Sequence, residues 1–100
     1  MFKKRRGIDI DYAMQGLICF TCLTFESQPK RIKERIIKIC ESVAGDKSDA
    51  LFELLTTDKS VTAVAMKHYV SESTLSSLRA KFYMRWVEQG KKFTNKSFKD

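Results

Sequence analysis

Between residues 30 and 44 the chain places Ile32, Ile36, Ile39, Cys40 and Val43 at i, i+4, i+7, i+8 and i+11. Lys30, Arg31, Lys33, Arg35 and Lys38 fill the remaining faces. That is the stripe of an amphipathic helix, and Gly45 suits the position just past its end. Upstream, "ESQPK" reads as a stop and restart, with Ser27 or Gln28 ahead of Pro29 in the first turn. A first helix, capped by Asp9 or Asp11, is expected to run to about Phe25. Its segment "LICFTCLTF", residues 17–25, is rich in β-branched and aromatic residues, so a strand is the alternative there.

Downstream, Ser48 or Asp49 is expected to open a short helix containing Leu51, Phe52, Leu54 and Leu55. "TTDKS" connects it to a fourth helix that begins at Ser60 and ends near His68. Ser71 caps a fifth, running to about Gln89 with Gly90 as its stop. "KKFTNKSFKD" follows as a basic tail without periodicity, expected to be flexible. The pattern therefore predicts an all-α chain of about five helices, with one helical domain over residues 1–90 and a tail over 91–100. There is no internal repeat, Pro-rich linker or low-complexity segment.

Composition narrows the class. One hundred residues with 43% apolar and 31% charged content is one globular domain with a real but small core. The formal net charge of +7 and the pI near 9.5 point to a polyanionic partner, nucleic acid or an anionic membrane surface. Residues 1–45 carry 9 basic and 5 acidic groups, a net of +4. Residues 46–58 carry 1 and 4, a net of −3, and residues 59–100 carry 9 and 3, a net of +6. An acidic segment thus separates two basic ones.

Three cysteines, an odd number, argue against a disulfide framework and for a reducing compartment. The opening "MFKKRRGIDIDYAMQGLICF" imitates a signal peptide, but Asp9 and Asp11 interrupt its apolar run and no cleavage pattern follows. The uncharged segment from Tyr12 to Phe25 has 14 residues, too few to span a bilayer. A cytoplasmic protein without membrane attachment is expected.

Residues 61–80, "VTAVAMKHYVSESTLSSLRA", raise a question of their own. Five hydroxyl residues, Ser71, Ser73, Thr74, Ser76 and Ser77, occupy helix positions where alanine would stabilise more. Small Ala65 stands where two helices must cross closely, and Val64, Val70, Leu75 and Leu78 stand at interior positions. Phe82 and Trp86 continue that inner stripe. This stretch resembles the helix-turn-helix superfamily, which includes phage repressors, small plasmid and fimbrial-operon regulators, and region four of bacterial sigma factors. The resemblance covers residues 60–86, about a quarter of the chain. Two positions depart from it. Tyr69 stands where the turn usually takes glycine, at a cost of roughly 1 kcal/mol for a bulky residue with φ > 0. His68 stands where a plain apolar residue is usual.

With Leu75, Leu78 and Phe82 turned inward, Ser73, Ser76, Ser77 and Ala80 point outward. Thr74, Lys81 and Arg85 then line one flank, and Glu72 and Arg79 the other. A helix entering the major groove needs small side chains for close approach and hydrogen-bonding groups for phosphates and base edges. Serine and threonine supply both. A solvated face with ordinary hydroxyls is the plainer alternative. The expected DNA-contacting set is Ser71, Glu72, Ser73, Thr74, Ser76, Ser77, Arg79, Lys81 and Arg85. The resemblance implies a sequence-specific regulator of transcription, acting on double-stranded DNA as a homodimer, of the kind that accessory operons or mobile elements carry. A repressor is one form of it. The alternative is a protein-interaction module on the same fold, such as a phage-type inhibitor or a sigma-like adaptor that contacts RNA polymerase; RNA binding is a third.

Other constellations carry less. Cys19, Cys22, Cys40 and His68 could in principle form a Cys₃His zinc site. The second pair lacks close spacing, however, and Cys40 lies on an apolar stripe, where reduced cysteine behaves as a small hydrophobe. His68, the one histidine, has no serine or cysteine placed for nucleophilic chemistry beside it and reads as a packing residue. The acidic residues at 46, 49, 53 and 58 read as helix-start charges. No Gly-rich phosphate loop or H-E-x-x-H occurs, so neither catalysis, nor a metal, nor a cofactor is expected. "KKRR" at residues 3–6 and the lysines at 91, 92, 96 and 99 are either solvated ends or arms along the phosphate backbone.

Overall fold

The computed structural model describes the backbone of residues 12–99 and the side chains of residues 12–90. The Asp9 and Asp11 caps and the "KKRR" arm lie outside the described residues, as do the side chains of the tail lysines. Among the described residues there are five α-helices, two short 3₁₀ turns and no strand. The helices are α1 (Tyr12–Leu23), α2 (Lys30–Ala44), α3 (Ser48–Thr56), α4 (Val61–His68) and α5 (Glu72–Lys99).

The "LICFTCLTF" stretch is helical through Leu23, so the strand alternative does not hold. Ile18 and Cys22, four residues apart, are both buried, and burial of one helical face outweighs the modest helix propensities of β-branched residues. The threonine hydroxyls are satisfied within the helix. Thr21 donates to the Leu17 carbonyl at 2.7 Å and Thr24 to that of Phe20 at 2.8 Å. The Gln28 amide closes the end by donating to the Thr24 hydroxyl at 2.9 Å. Pro29 itself, in extended conformation, then caps α2, one residue later than the sequence suggests.

Gly45 ends α2 at φ 57°, a left-handed value that favours glycine, with its N–H bonded to the Glu41 carbonyl. The 3₁₀ turn Gly45–Lys47 runs straight into α3, so neither Ser48 nor Asp49 serves as a side-chain cap there.

The core has two parts, and α3 faces both. In the larger, Ile18 and Cys22 of α1 meet Ile36, Ile39 and Cys40 of α2, Leu51 and Leu55 of α3, and Leu78, Phe82 and Tyr83 of α5. In the smaller, Ala50 and Leu54 of α3 meet Val64 and Ala65 of α4 and Leu75 of α5. A wholly buried Leu, Ile or Phe contributes roughly 1.5–3 kcal/mol, so these faces fix where α4 and α5 lie. Tyr83, beside Phe82 in sequence, is 1% exposed. The single inner stripe expected for α5 is widened at this point because α5 packs against α1, α2 and α3 together.

The largest departure from the sequence reading is at Gly90. The helix does not stop there but continues to Lys99. A mid-helix glycine costs about 1 kcal/mol relative to alanine, yet it ends a helix only where the chain turns left-handed, and the lysines after it are good helix formers.

Candidate nucleic-acid interface

The α4–α5 corner is built from three local devices. The Ser60 hydroxyl accepts from the Ala63 N–H at 3.1 Å and so starts α4. Tyr69 takes φ 57° and ψ 44°, the left-handed conformation that ends α4, and the Val70 N–H returns to the Ala65 carbonyl at 3.0 Å. The Ser71 hydroxyl accepts from the Thr74 N–H at 3.1 Å and starts α5. Beneath them Val64, Ala65 and Leu75 are buried together, with Val70 packed at their edge. A three-residue connection therefore holds two short apolar faces against each other, as the 3.6-residue spacing leads one to expect.

The hydroxyl residues divide into two groups. Ser71 and Thr74 serve the corner itself, since the Ser71 Oγ–H also donates to Thr74 Oγ1 at 2.7 Å. Ser73, Ser76 and Ser77 are exposed. Ser73, Ser77, Lys81 and Met84 follow i, i+4, i+8, i+11 on the side of α5 away from buried Leu75, Leu78 and Phe82. Ala80, expected to point outward, is half-buried against the larger core cluster.

The charged residues of the expected set have different surroundings. Glu72 already accepts a hydrogen bond from the Thr62 hydroxyl of α4, at 3.0 Å. Lys81 is exposed on the hydroxyl side. Arg85 is exposed and donates through Nη1 to the Ser42 hydroxyl of α2 at 3.1 Å. Arg79 is separated from them. It is half-buried and lines a cleft with Cys19, Leu23, Leu55, Asp58 and Tyr83, on the side of α5 facing α1 and α3. Ser77, Lys81 and Arg85 thus line one exposed cleft with Ser42, and Ser73 and Ser76 are exposed nearer the start of α5, while Arg79 lines a different cleft.

Two arrangements escaped the sequence reading. Glu53 lies late in α3, not at its start, and collects three basic side chains. Its carboxylate stands 2.8 Å from Lys59 Nζ, 3.0 Å from Lys67 Nζ and 3.0 Å from His68 Nε2. Hydrogen bonds from Lys59, His68 and Lys67 hold the carboxyl pKa down at about 2, and the same contact with Glu53 raises that of Lys59. His68 is therefore the partner of an acid, reached from the last turn of α4. The second is Arg35, which the sequence pattern puts among the basic residues that fill the faces of α2 outside its apolar stripe. It is half-buried and donates from Nη2 to the Trp86 carbonyl at 2.7 Å. Its place beside Ile32, Ile36 and Ile39 on the edge of the apolar stripe was the available signal.

Cys22 and Cys40 are buried in the larger core cluster. Burial raises the thiol pKa of both, that of Cys40 to about 12, which keeps them protonated at neutral pH. His68, the fourth member of the conceivable zinc set, is engaged with Glu53 instead. Among the described residues no three His, Cys, Asp or Glu side chains are grouped to hold a metal ion. No described helix is long and apolar enough to cross a membrane. No protein-family model, curated protein or solved structure matches the chain.

Proposed function

We propose that the chain is a sequence-specific DNA-binding regulator of transcription whose α5 enters the major groove, and that it acts as a homodimer. The observation that carries this reading is the exposed hydroxyl face of α5, Ser73, Ser76 and Ser77, with Lys81 and Arg85 beside it. Hydroxyls both donate and accept, so they suit the mixed pattern of donors and acceptors on base edges in the major groove. The two cations supply attraction to phosphate, which carries most of the affinity of such interfaces. The corner at Tyr69 and the packing of Val64 and Ala65 on Leu75 give α5 a fixed support, as precise recognition requires. In a homodimer the two copies of α5 reach half-sites about 34–36 Å apart, or a multiple of that, on one face of the duplex. Selection of bound duplexes from a random library, at stated salt, tests the reading. A shared motif with that half-site spacing supports it, and an unenriched pool contradicts it.

A second reading has its own observation. Met66 on α4 is 73% exposed and Tyr69 in the turn is 96% exposed. Exposed aromatic and methionine side chains are common in protein interfaces, so this edge favours contact with another protein, RNA polymerase being the partner for a sigma-like adaptor. An adaptor of that kind would bind its partner with little dependence on added duplex.

A further inference from the structure

Two stretches of cleft between α2 and α5 meet at Ser42. One is lined on the α5 side by Ser77, Lys81 and Arg85, and the other on the α2 side by Arg31, Arg35 and Lys38. The Arg85 to Ser42 hydrogen bond crosses where they join. Five cations therefore border these two adjoining stretches, against two carboxylates, Glu34 and Glu88. Arg35 is spoken for by Trp86 and acts as a wall. Arg31 and Lys38 are exposed and lie seven residues apart on one helix. At 1.5 Å rise per residue they are about 10 Å apart along the axis, close to the rise of three base pairs.

We infer that this groove is a phosphate track: a DNA backbone that leaves the hydroxyl face at Ser77 and Lys81 continues over α2, where Arg31 and Lys38 neutralise phosphates about three base pairs apart. The inference rests on the proposed DNA reading by α5 and extends it to a helix outside the α4–α5 corner. Contacts of this kind add affinity without sequence information. They also give a purpose to the exposed Arg31 and Lys38. Duplex DNA is favoured over other polyanions because the groove is continuous with a face of small hydrogen-bonding side chains suited to base edges.

The test uses the full chain, an Arg31→Ala/Lys38→Ala double variant and Glu34→Gln, titrated with a mixed-sequence duplex and with the selected duplex between about 50 and 200 mM salt. Both alanines sit at exposed helical positions that alanine suits well, and a melting curve checks each fold. The double variant should weaken both duplexes alike and reduce the slope of log affinity against log salt by about two units, at roughly 0.9 per phosphate. Glu34→Gln should tighten both, a gain that a folding defect cannot imitate. Unchanged slope and affinity in both variants would overturn the track. So would a parent that prefers single-stranded RNA of equal length and loses that preference in the double variant. If the parent binds duplex and Ser73 and Ser77 set its preference while these variants change nothing, the groove inference alone fails. If the parent binds no duplex, the proposed function fails with it.

Discussion

Arg35 lies over the face of Trp86, its guanidinium carbon 3.7 Å from the ring centroid, while donating to the carbonyl of the same residue. The pair locks α2 against α5 next to the stacked Phe82 and Trp86 rings, whose centroids are 5.9 Å apart. Burial pulls the guanidinium pKa down from its ordinary value without discharging it. Arg35→Ala removes a cation–π contact, a hydrogen bond and apolar packing, and is expected to cost about 1–3 kcal/mol. Lysine at this position should recover only part of that, because it cannot lie flat on the ring and reach the carbonyl together. Urea unfolding of the three proteins measures the effect, and an alanine variant as stable as the parent would mean the pairing is incidental.

Ala65 is 5% exposed at the crossing of α4 and α5, beside Val64 and Leu75. Ala65→Leu adds a branched side chain where there is no room, and overpacking of this kind costs about 1–3 kcal/mol. A variant that melts with the parent would show that the two helices cross elsewhere.

Tyr69 carries the one positive φ among the described non-glycine residues and is hardly packed at all, being 96% exposed. Replacing it with glycine relieves left-handed strain of roughly 1 kcal/mol while giving up little burial. Part of that gain is offset by the greater freedom glycine gives the unfolded chain. Tyr69→Gly should therefore be slightly more stable than the parent by calorimetry. A clear loss of stability would indicate that the tyrosine ring packs against the protein in solution.

Glu53 sets an acid limit on stability. Its pKa is lowered in the folded state, from an ordinary 4.5 to about 2, so its contribution is complete above the ordinary value. That contribution is lost as pH falls from about 4.5 towards 2. Glu53→Gln should lower stability at neutral pH and flatten this limb of the stability profile. Equal acid limbs for the two proteins would remove Glu53 from the account.

Much of this was legible in the sequence, and the reasons differ by residue. Ile36, Ile39 and Cys40 announce α2 because helical burial imposes a 3.6-residue period that sequence records directly. Ser60 and Ser71 announce the starts of α4 and α5 because a cap is a local hydrogen bond, three residues long. Tyr69 could be placed at the turn because the spacing of apolar positions on either side leaves it nowhere else. The pairings that depend on how helices sit against one another were not legible. Arg35 and Trp86 are 51 residues apart, and Glu53 reaches His68 from a different helix. The half-burial of Arg79 towards α1 and α3, on the flank opposite Lys81 and Arg85 where its spacing already put it, is of the same kind. It follows from α5 being packed on several sides at once, which also buries Tyr83. Gly90 misled for a different reason: glycine favours a helix end without compelling one.

The central claim is that the exposed hydroxyls of α5 read base edges, and a Ser73→Ala/Ser77→Ala variant tests it most directly. Both residues are exposed, and alanine is the better helix former, so the fold should be at least as stable as the parent's. Its affinity for the selected duplex should fall by about 1–3 kcal/mol for each base-reading hydroxyl removed, and its preference should relax at those base pairs. Lys81→Ala, by contrast, should weaken every duplex alike and reduce the salt slope by about one unit. If the double serine variant keeps both the affinity and the sequence preference of the parent, α5 does not read the groove, and the polymerase-adaptor reading takes its place.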